Sequence, residues 1–262
     1  MDRNKMKNLQ INYIHLDETP STNSHLATIA DEARHGTVVF TDRQTAGRGQ
    51  RGNSWESEPG KNVTMSVLLR DTGVAPARQF LLSEACALAI VDTMRHYIGE
   101  TTIKWPNDIY HGDCKLCGIL IEHALAGSRI KHTIVGIGLN VNQRKFLSDA
   151  PNPISMYQIA GTETPVRQIV EQIAERLLSL VAYLPDDADA MHERFKRALY
   201  RSTGQHEYIA NVRSTARIGA ETLLPGQHFH ASIIDVEPSG TILLRTATAT
   251  HAFAFKEISF VI

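Results

Sequence analysis

The stretch Gln44-Thr45-Ala46-Gly47-Arg48-Gly49-Gln50-Arg51-Gly52-Asn53-Ser54-Trp55 interleaves glycines with Arg48 and Arg51, and no acid lies between Asp42 and Glu56. Main-chain N–H groups left open by glycine, together with guanidinium forks, can wrap a carboxylate or a phosphate. Alone, such a loop is more often a solvated connector. Two further clusters change its weight. Lys104-Trp105-Pro106-Asn107-Asp108 and Lys115-Leu116-Cys117-Gly118-Ile119-Leu120 place two lysines around one short hairpin. Gly118 inside a strand pattern marks a close approach by a ligand or another backbone. Gly136-Ile137-Gly138-Leu139-Asn140 repeats that feature in a second strand.

Two nucleotide motifs are tested and fail. Gly47, Gly49 and Gly52 satisfy G-x-G-x-x-G, and Asp71 stands at about the right distance for a ribose-binding acid. The ten residues between Gly52 and the next strand at Val63 include Pro59 and Gly60, too few for the crossover helix a parallel pair requires. Gly60-Lys61 is followed by Asn62, so no Walker loop is present either.

The elements that must hold these groups follow from periodicity and punctuation. Strands are expected at 11–16, 37–41, 63–69, 101–104, 109–111, 116–125 and 131–141, the last four as antiparallel hairpins. Thr19-Pro20-Ser21-Thr22 breaks the first strand and offers capping hydroxyls to a helix running to about Arg34, with Gly36 ending it. The span 78–98 is apolar on nearly every side and reads as a central helix packed on the sheet. After a loop at 143–155, Thr164 and Pro165 predict an N-cap and first turn for a helix reaching toward Pro185. A second helix covers 187–199. From Gly204 the pattern becomes short strands (228–236, 241–245, 251–255, 258–262) between turns, as in a small barrel. The expected division is 1–203 and 204–262.

Composition sets the outer limits. The chain has 262 residues, 42% hydrophobic and 21% charged, with formal net charge −1. That is a folded globular chain with no global attraction to nucleic acid or anionic lipid. No apolar run is long enough to cross a bilayer. The polar start, with Arg3, Lys5 and Lys7, lacks the apolar core of a secretory signal. Three cysteines give no disulfide framework and fit a reducing, cytoplasmic setting.

The ordered set Ser21-Thr22-Asn23, Gln44 with 47–52, 104–108, Lys115-x-x-Gly118-Ile119-Leu120 and 136–140 closely resembles that of biotin protein ligases, also called biotin–[acetyl-CoA-carboxylase] ligases. The motifs span about residues 12–142. The resemblance implies an α+β catalytic fold, a mixed β-sheet flanked by helices, followed by an SH3-like C-terminal β-barrel. It implies activation of biotin by ATP to biotinyl-5'-AMP, with release of pyrophosphate. Transfer to a lysine of a biotin carboxyl carrier protein then follows. ATP with Mg²⁺ and biotin are substrates, and no tightly bound metal is expected.

By the same resemblance, Ser21, Thr22, Asn23 and Gln44 hold the biotin head. Gly47, Arg48, Gly49 and Gln50 fold over biotin, with Lys115 and Gly118 beside it. Arg48, Arg51, Gly52, Trp55, Lys104, Asn107, Asp108 and Asn140 surround the nucleotide. Lys115, Arg48 and Lys104 are the catalytic cations, and Asp108 is a candidate acceptor for the carrier lysine's proton. Relatives often carry arginine where this chain has Gln50, so adenylate retention should differ. Some relatives have an N-terminal operator-binding domain; here the motifs begin at Ser21, so the expectation is ligase only, without DNA or membrane partners. A homodimer is left open.

Two alternatives are kept. A lipoate–protein ligase also adenylates a cofactor acid, but the 47–52 loop and the 104–108 motif favour biotin. A non-catalytic biotin-binding module does not account for Lys115 and Arg48. Cys114-x-x-Cys117, with His111 and His123 nearby, is one short pair, whereas structural zinc wants four ligands. Cys86 reads as core. Arg194, Lys196 and Arg197 read as a solvated helix face.

Overall fold

The computed structural model describes residues 10–148 and 150–262 and, at Arg51, the main chain only. Readings that fall on residues 1–9, and the role given to the Arg51 side chain, lie outside the described residues. Seven strands form the main sheet: β1 (Asn12–Thr19), β2 (Thr37–Gln44), β3 (Val63–Leu69), β4 (Thr102–Lys104), β5 (Asp108–His111), β6 (Cys114–Ala126) and β7 (Arg129–Leu139). Their order is β1-β2-β3-β7-β6-β5-β4. Only β1 and β2 run parallel; β2 and β3 are antiparallel, which removes the dinucleotide-binding topology.

Strand β3 is buried along its whole length because helices cover both sheet faces. Leu68, Val39 and Ile134 pack with Leu26 and Ala30 around α1 (Thr22–Ile29). The alternating neighbours Val67, Leu69, Val38 and Val135 face the larger core. That core holds α2 (Phe80–Met94), α4 (Val166–Val181) and α5 (Ala188–Ala198). Period-two alternation therefore sends one strand's side chains into two cores.

Several boundaries differ from expectation. Helix α1 stops at Ile29, and the chain turns through 30–35 before Gly36 adopts φ 78°. A short 3-10 turn, Pro76–Arg78, precedes α2. The 143–155 loop leads into an unforeseen helix, α3 (Met156–Ala160), closed by a Ser155–Gln158 capping box and by Gly161 at φ 73°. Pro165, not Thr164, is the N-cap of α4. Asn142 instead ties down Thr164: its Oδ1 accepts from Thr164 N at 2.9 Å and its Nδ2 donates to Thr164 O at 2.8 Å.

The remaining strands are β8 (His206–Ala210), β9 (Ser214–Thr215), β10 (Thr222–Leu223), β11 (His228–Val236), β12 (Ile242–Arg245), β13 (Thr250–Phe253) and β14 (Ile258–Phe260). The strand β8 and the β9–β10 ribbon were not foreseen. An antiparallel ladder runs β13-β12-β11-β8-β14. Among the described residues it has two ends, so this part is barrel-like without closing. Its apolar side chains, among them Tyr208, Leu244 and Phe253, join the same core as α2. At the joint, Trp105 Nε1 donates to Gly240 O at 2.9 Å.

Candidate active site

A cleft of about 1450 Å³ opens over β6 and β7. Its floor is made of glycine for a steric reason. Gly118 pairs with Gly138, and Leu120 pairs with Gly136. A Cβ on Gly136 would fall 2.3 Å from Asn23 Oδ1, and one on Gly138 would fall 2.4 Å from Cε2 of Trp55. Both distances are below any tolerable contact. The glycines let one side chain from α1 and one from the arginine loop lie directly on the sheet.

The loop is a tight reversal. Trp55 N donates to Gly47 O at 3.0 Å and Gly49 N to Asn53 O at 2.6 Å. Gln50–Gly52 forms the 3-10 turn at its tip, and Gly52 has φ 87°. Gly47 does not line the cleft; it sits beneath the loop, where a Cβ would meet Trp55 O at 2.5 Å. Arg48 does line the cleft, and its Nη2 donates to Glu122 Oε2 at 3.2 Å.

The start of α1 forms one wall. Gln44 Oε1 accepts from Thr22 N at 2.9 Å and from Thr22 Oγ1 at 3.2 Å. Ser21 caps the helix, accepting from Ser24 N at 3.4 Å. Asn23 is fixed at both ends of its amide. Its Nδ2 donates to Glu122 Oε2 at 2.7 Å, and its Oδ1 lies 2.5 Å from Ser66 Oγ.

The opposite wall carries the lysines. Lys115 Nζ lies 2.7 Å from Asp108 Oδ1 and 5.7 Å from the centroid of a Trp55 ring. Lys104 packs its ammonium against aromatic faces, and burial holds it below its ordinary value; Asp108 opposes the shift, while Lys115 and Arg201 add to it. Asn107 braces the floor, donating from Nδ2 to Ile119 O at 2.5 Å and accepting from Ile119 N at 3.0 Å. Asn140 Nδ2 donates to Ile154 O at 3.0 Å, and its buried Oδ1 has no partner among the described residues.

The structure thus gathers around one cleft the expected Ser21, Thr22, Asn23, Gln44, Arg48, Gly49, Gln50, Gly52, Trp55, Lys104, Asn107, Asp108, Lys115, Gly118 and Asn140. Sequence reasoning missed Glu122 and Ser66, although period two carries a signal for both. Glu122 follows Gly118 and Leu120 on one face of β6, and Ser66 with Thr64 interrupts an apolar strand. It also missed Glu56. That carboxylate accepts from Leu147 N, Ser148 N and Gln143 Nε2, at 2.9, 2.7 and 2.9 Å, tying the arginine loop to the 143–153 loop. Burial pushes the Glu56 carboxyl up, but these hydrogen bonds outweigh it and hold it below its ordinary value. No local pattern marked the cleft-lining Asn211, Lys256 and Phe260 of the C-terminal part. In the cysteine pair, Cys117 is buried, and burial pushes its thiol well above the ordinary value.

Comparison with known proteins identifies the family. Residues 15–140 match the model of the biotin/lipoate A/B protein ligase family. The chain is 36% identical over 240 residues to the bifunctional ligase/repressor BirA of Bacillus subtilis (strain 168), covering 88% of this chain and 67% of that protein. It is 35% identical over 167 residues to the biotin–[acetyl-CoA-carboxylase] ligase of Mycobacterium tuberculosis, covering 62% and 59%. The solved biotin protein ligase from Aquifex aeolicus, in complex with biotin and ATP, shares the fold with a TM-score of 0.74 at 22% identity, over 95% of this chain and 98% of that one. The chain belongs to the biotin/lipoate A/B protein ligase family, among its biotin protein ligases.

Proposed function

We propose that this cleft joins biotin to AMP and then passes the biotinyl group to a lysine of a biotin carboxyl carrier domain. A biotin carboxylate oxygen attacks the α-phosphorus of ATP, which enters with Mg²⁺ as substrate, and pyrophosphate leaves. The carrier amine next attacks the acyl carbon; AMP leaves and the amine gives up a proton. The observation that carries this reading is the convergence of Arg48, Lys104 and Lys115 on one glycine-floored cleft.

Both reactants of the first step are anions, and fixed cations aimed at the developing charge offset their repulsion. No protein nucleophile is needed, so positioning dominates. Asn23, Thr22 and Gln44, held by their hydrogen bonds, present a rigid polar surface for the ureido head. Lys115 is paired with Asp108 in the free protein. An arriving carboxylate and phosphate compete for the ammonium, which leaves Asp108 able to accept the carrier lysine's proton in the second step. The reversal at 47–55 shields the adenylate from water. In this reading residues 1–203 form the catalytic unit and 204–262 a smaller β unit that lends one wall.

Biotin-dependent exchange of labelled pyrophosphate into ATP tests the first step. Lys115→Ala should abolish it. Near-wild-type exchange in that variant would refute this placement of charge. Exchange that follows lipoate rather than biotin would redirect the substrate assignment.

A further inference from the structure

Lys104 and Lys115, both lining the cleft, are held in physically different ways. Asp108 neutralises Lys115 at 2.7 Å. Lys104 stands opposite the same aspartate in the β4–β5 register, yet among the described residues its ammonium makes no ion pair or hydrogen bond. Its Nζ lies 5.0 Å from the ring centroid of Tyr110 and 5.3 Å from that of Phe260. Both distances fall within the roughly 6 Å over which an aromatic face attracts a cation.

We propose that Phe260, on the C-terminal strand β14, is a positioning residue for the reaction: with Tyr110 it cages the Lys104 ammonium and presents it, still charged, to the nucleotide phosphates. This rests on the function proposed above and deepens it. A carboxylate partner would cancel most of the lysine's field. An aromatic quadrupole attracts the ammonium but leaves its full charge available to an arriving anion. It also restrains a flexible four-carbon stem before substrate arrives, so less ordering remains to be done at the transition state.

The cage is itself braced. Tyr208, fully buried, meets Phe260 edge-on at 5.0 Å. Tyr200 lies 5.5 Å from Tyr110 and 6.3 Å from Phe260. One half of the cage belongs to the main sheet and the other to the C-terminal ladder. Through Phe260 the C-terminal part would act on a lysine of the 104–108 motif.

The test uses the full chain with Phe260→Leu, Phe260→Tyr, Lys104→Met and the double variant Phe260→Leu/Lys104→Met. The readouts are kcat and KM for ATP in biotin-dependent pyrophosphate exchange, with thermal unfolding recorded alongside. Leucine keeps the apolar bulk and removes the quadrupole. Phe260→Leu should lower kcat/KM for ATP about tenfold, between what an exposed and a desolvated cation–π pair supplies, with KM for biotin unmoved. Phe260→Tyr should recover the loss, and in the Lys104→Met background Phe260→Leu should cost nothing further. If Lys104→Met is impaired while Phe260→Leu stays within about twofold of wild type, the cage is overturned and the proposed function stands. The cage is equally overturned if leucine and tyrosine lose the same activity, or if the loss persists without Lys104. If Lys104→Met is itself near wild type, the role given to Lys104 fails, and the cage with it.

Discussion

Trp55 and Gly138 touch so closely that a Cβ on residue 138 would lie 2.4 Å from Cε2 and 2.5 Å from Nε1 of the indole. A rigid bicyclic ring cannot yield as the tip of a flexible chain would. Gly138→Ala should therefore displace Trp55, costing on the order of 1–3 kcal/mol of stability and weakening ATP binding. Urea unfolding and nucleotide titration would record both effects. In a Trp55→Leu background the alanine should cost much less. An undiminished penalty there would place the clash elsewhere.

Asp108 pairs with Lys115 in the free protein and is the proposed proton acceptor in transfer. Asp108→Asn should separate the two roles. Pyrophosphate exchange should persist within about tenfold, while transfer to the carrier lysine should fall about 10²-fold or more, as for a lost general base. Single-turnover transfer from preformed biotinyl-AMP makes the measurement. Equal losses in both steps would remove the base role and leave only the ion pair.

Gln50 lines the cleft at the tip of the arginine loop, and its buried Oε1 has no hydrogen-bond partner among the described residues. Arginine at this position would bring a charge and fork donors toward the adenylate phosphate. Gln50→Arg should slow release of biotinyl-AMP, measured by chase with unlabelled biotin and ATP. An unchanged or faster off-rate counts against the idea.

His192 clasps the C-terminal ladder to the catalytic body. Its Nδ1 lies 2.8 Å from Glu84 Oε1 in α2, and its Nε2 lies 2.9 Å from Asp235 Oδ1 in β11. Burial pulls His192 down, but the two carboxylates outweigh it and raise it above 6.5. Burial raises Glu84 despite His192. For Asp235, burial acts upward, yet the His192, Val236 N and Lys196 contacts hold it below 3.8. The histidine's contribution to stability is fully present below 6.5 and is lost as pH rises through its raised folded value. Ionisation of Glu84 acts in the same direction. The Asp235 contribution is present above 3.8 and fades as pH falls through its lowered value. His192→Gln should thus destabilise by on the order of 1–3 kcal/mol at about pH 6 and by less at about pH 8.5. Melting midpoints across that range would show it, and a pH-independent loss would mean the clasp holds only by packing.

Much of this architecture is legible in the residues alone. The bounds expected for β3 and β11 coincide with those observed, since a short apolar run and an alternating run each report their own surroundings. The candidate site is legible because glycine within strands and clustered cations break the local pattern together. Helix α1 is shorter than its composition suggests because the end of a helix depends on what its last turn packs against.

The parallel β1–β2 pair, the double coverage of β3 and the meeting of Asn23, Arg48 and Glu122 at one carboxylate lay beyond the sequence. So did the approach of Phe260 to Lys104, across 156 positions of chain. Periodicity describes which way a side chain points from its own element. Which partner it then meets is decided by strand register and by the docking of distant elements, and these are settled by the whole core at once.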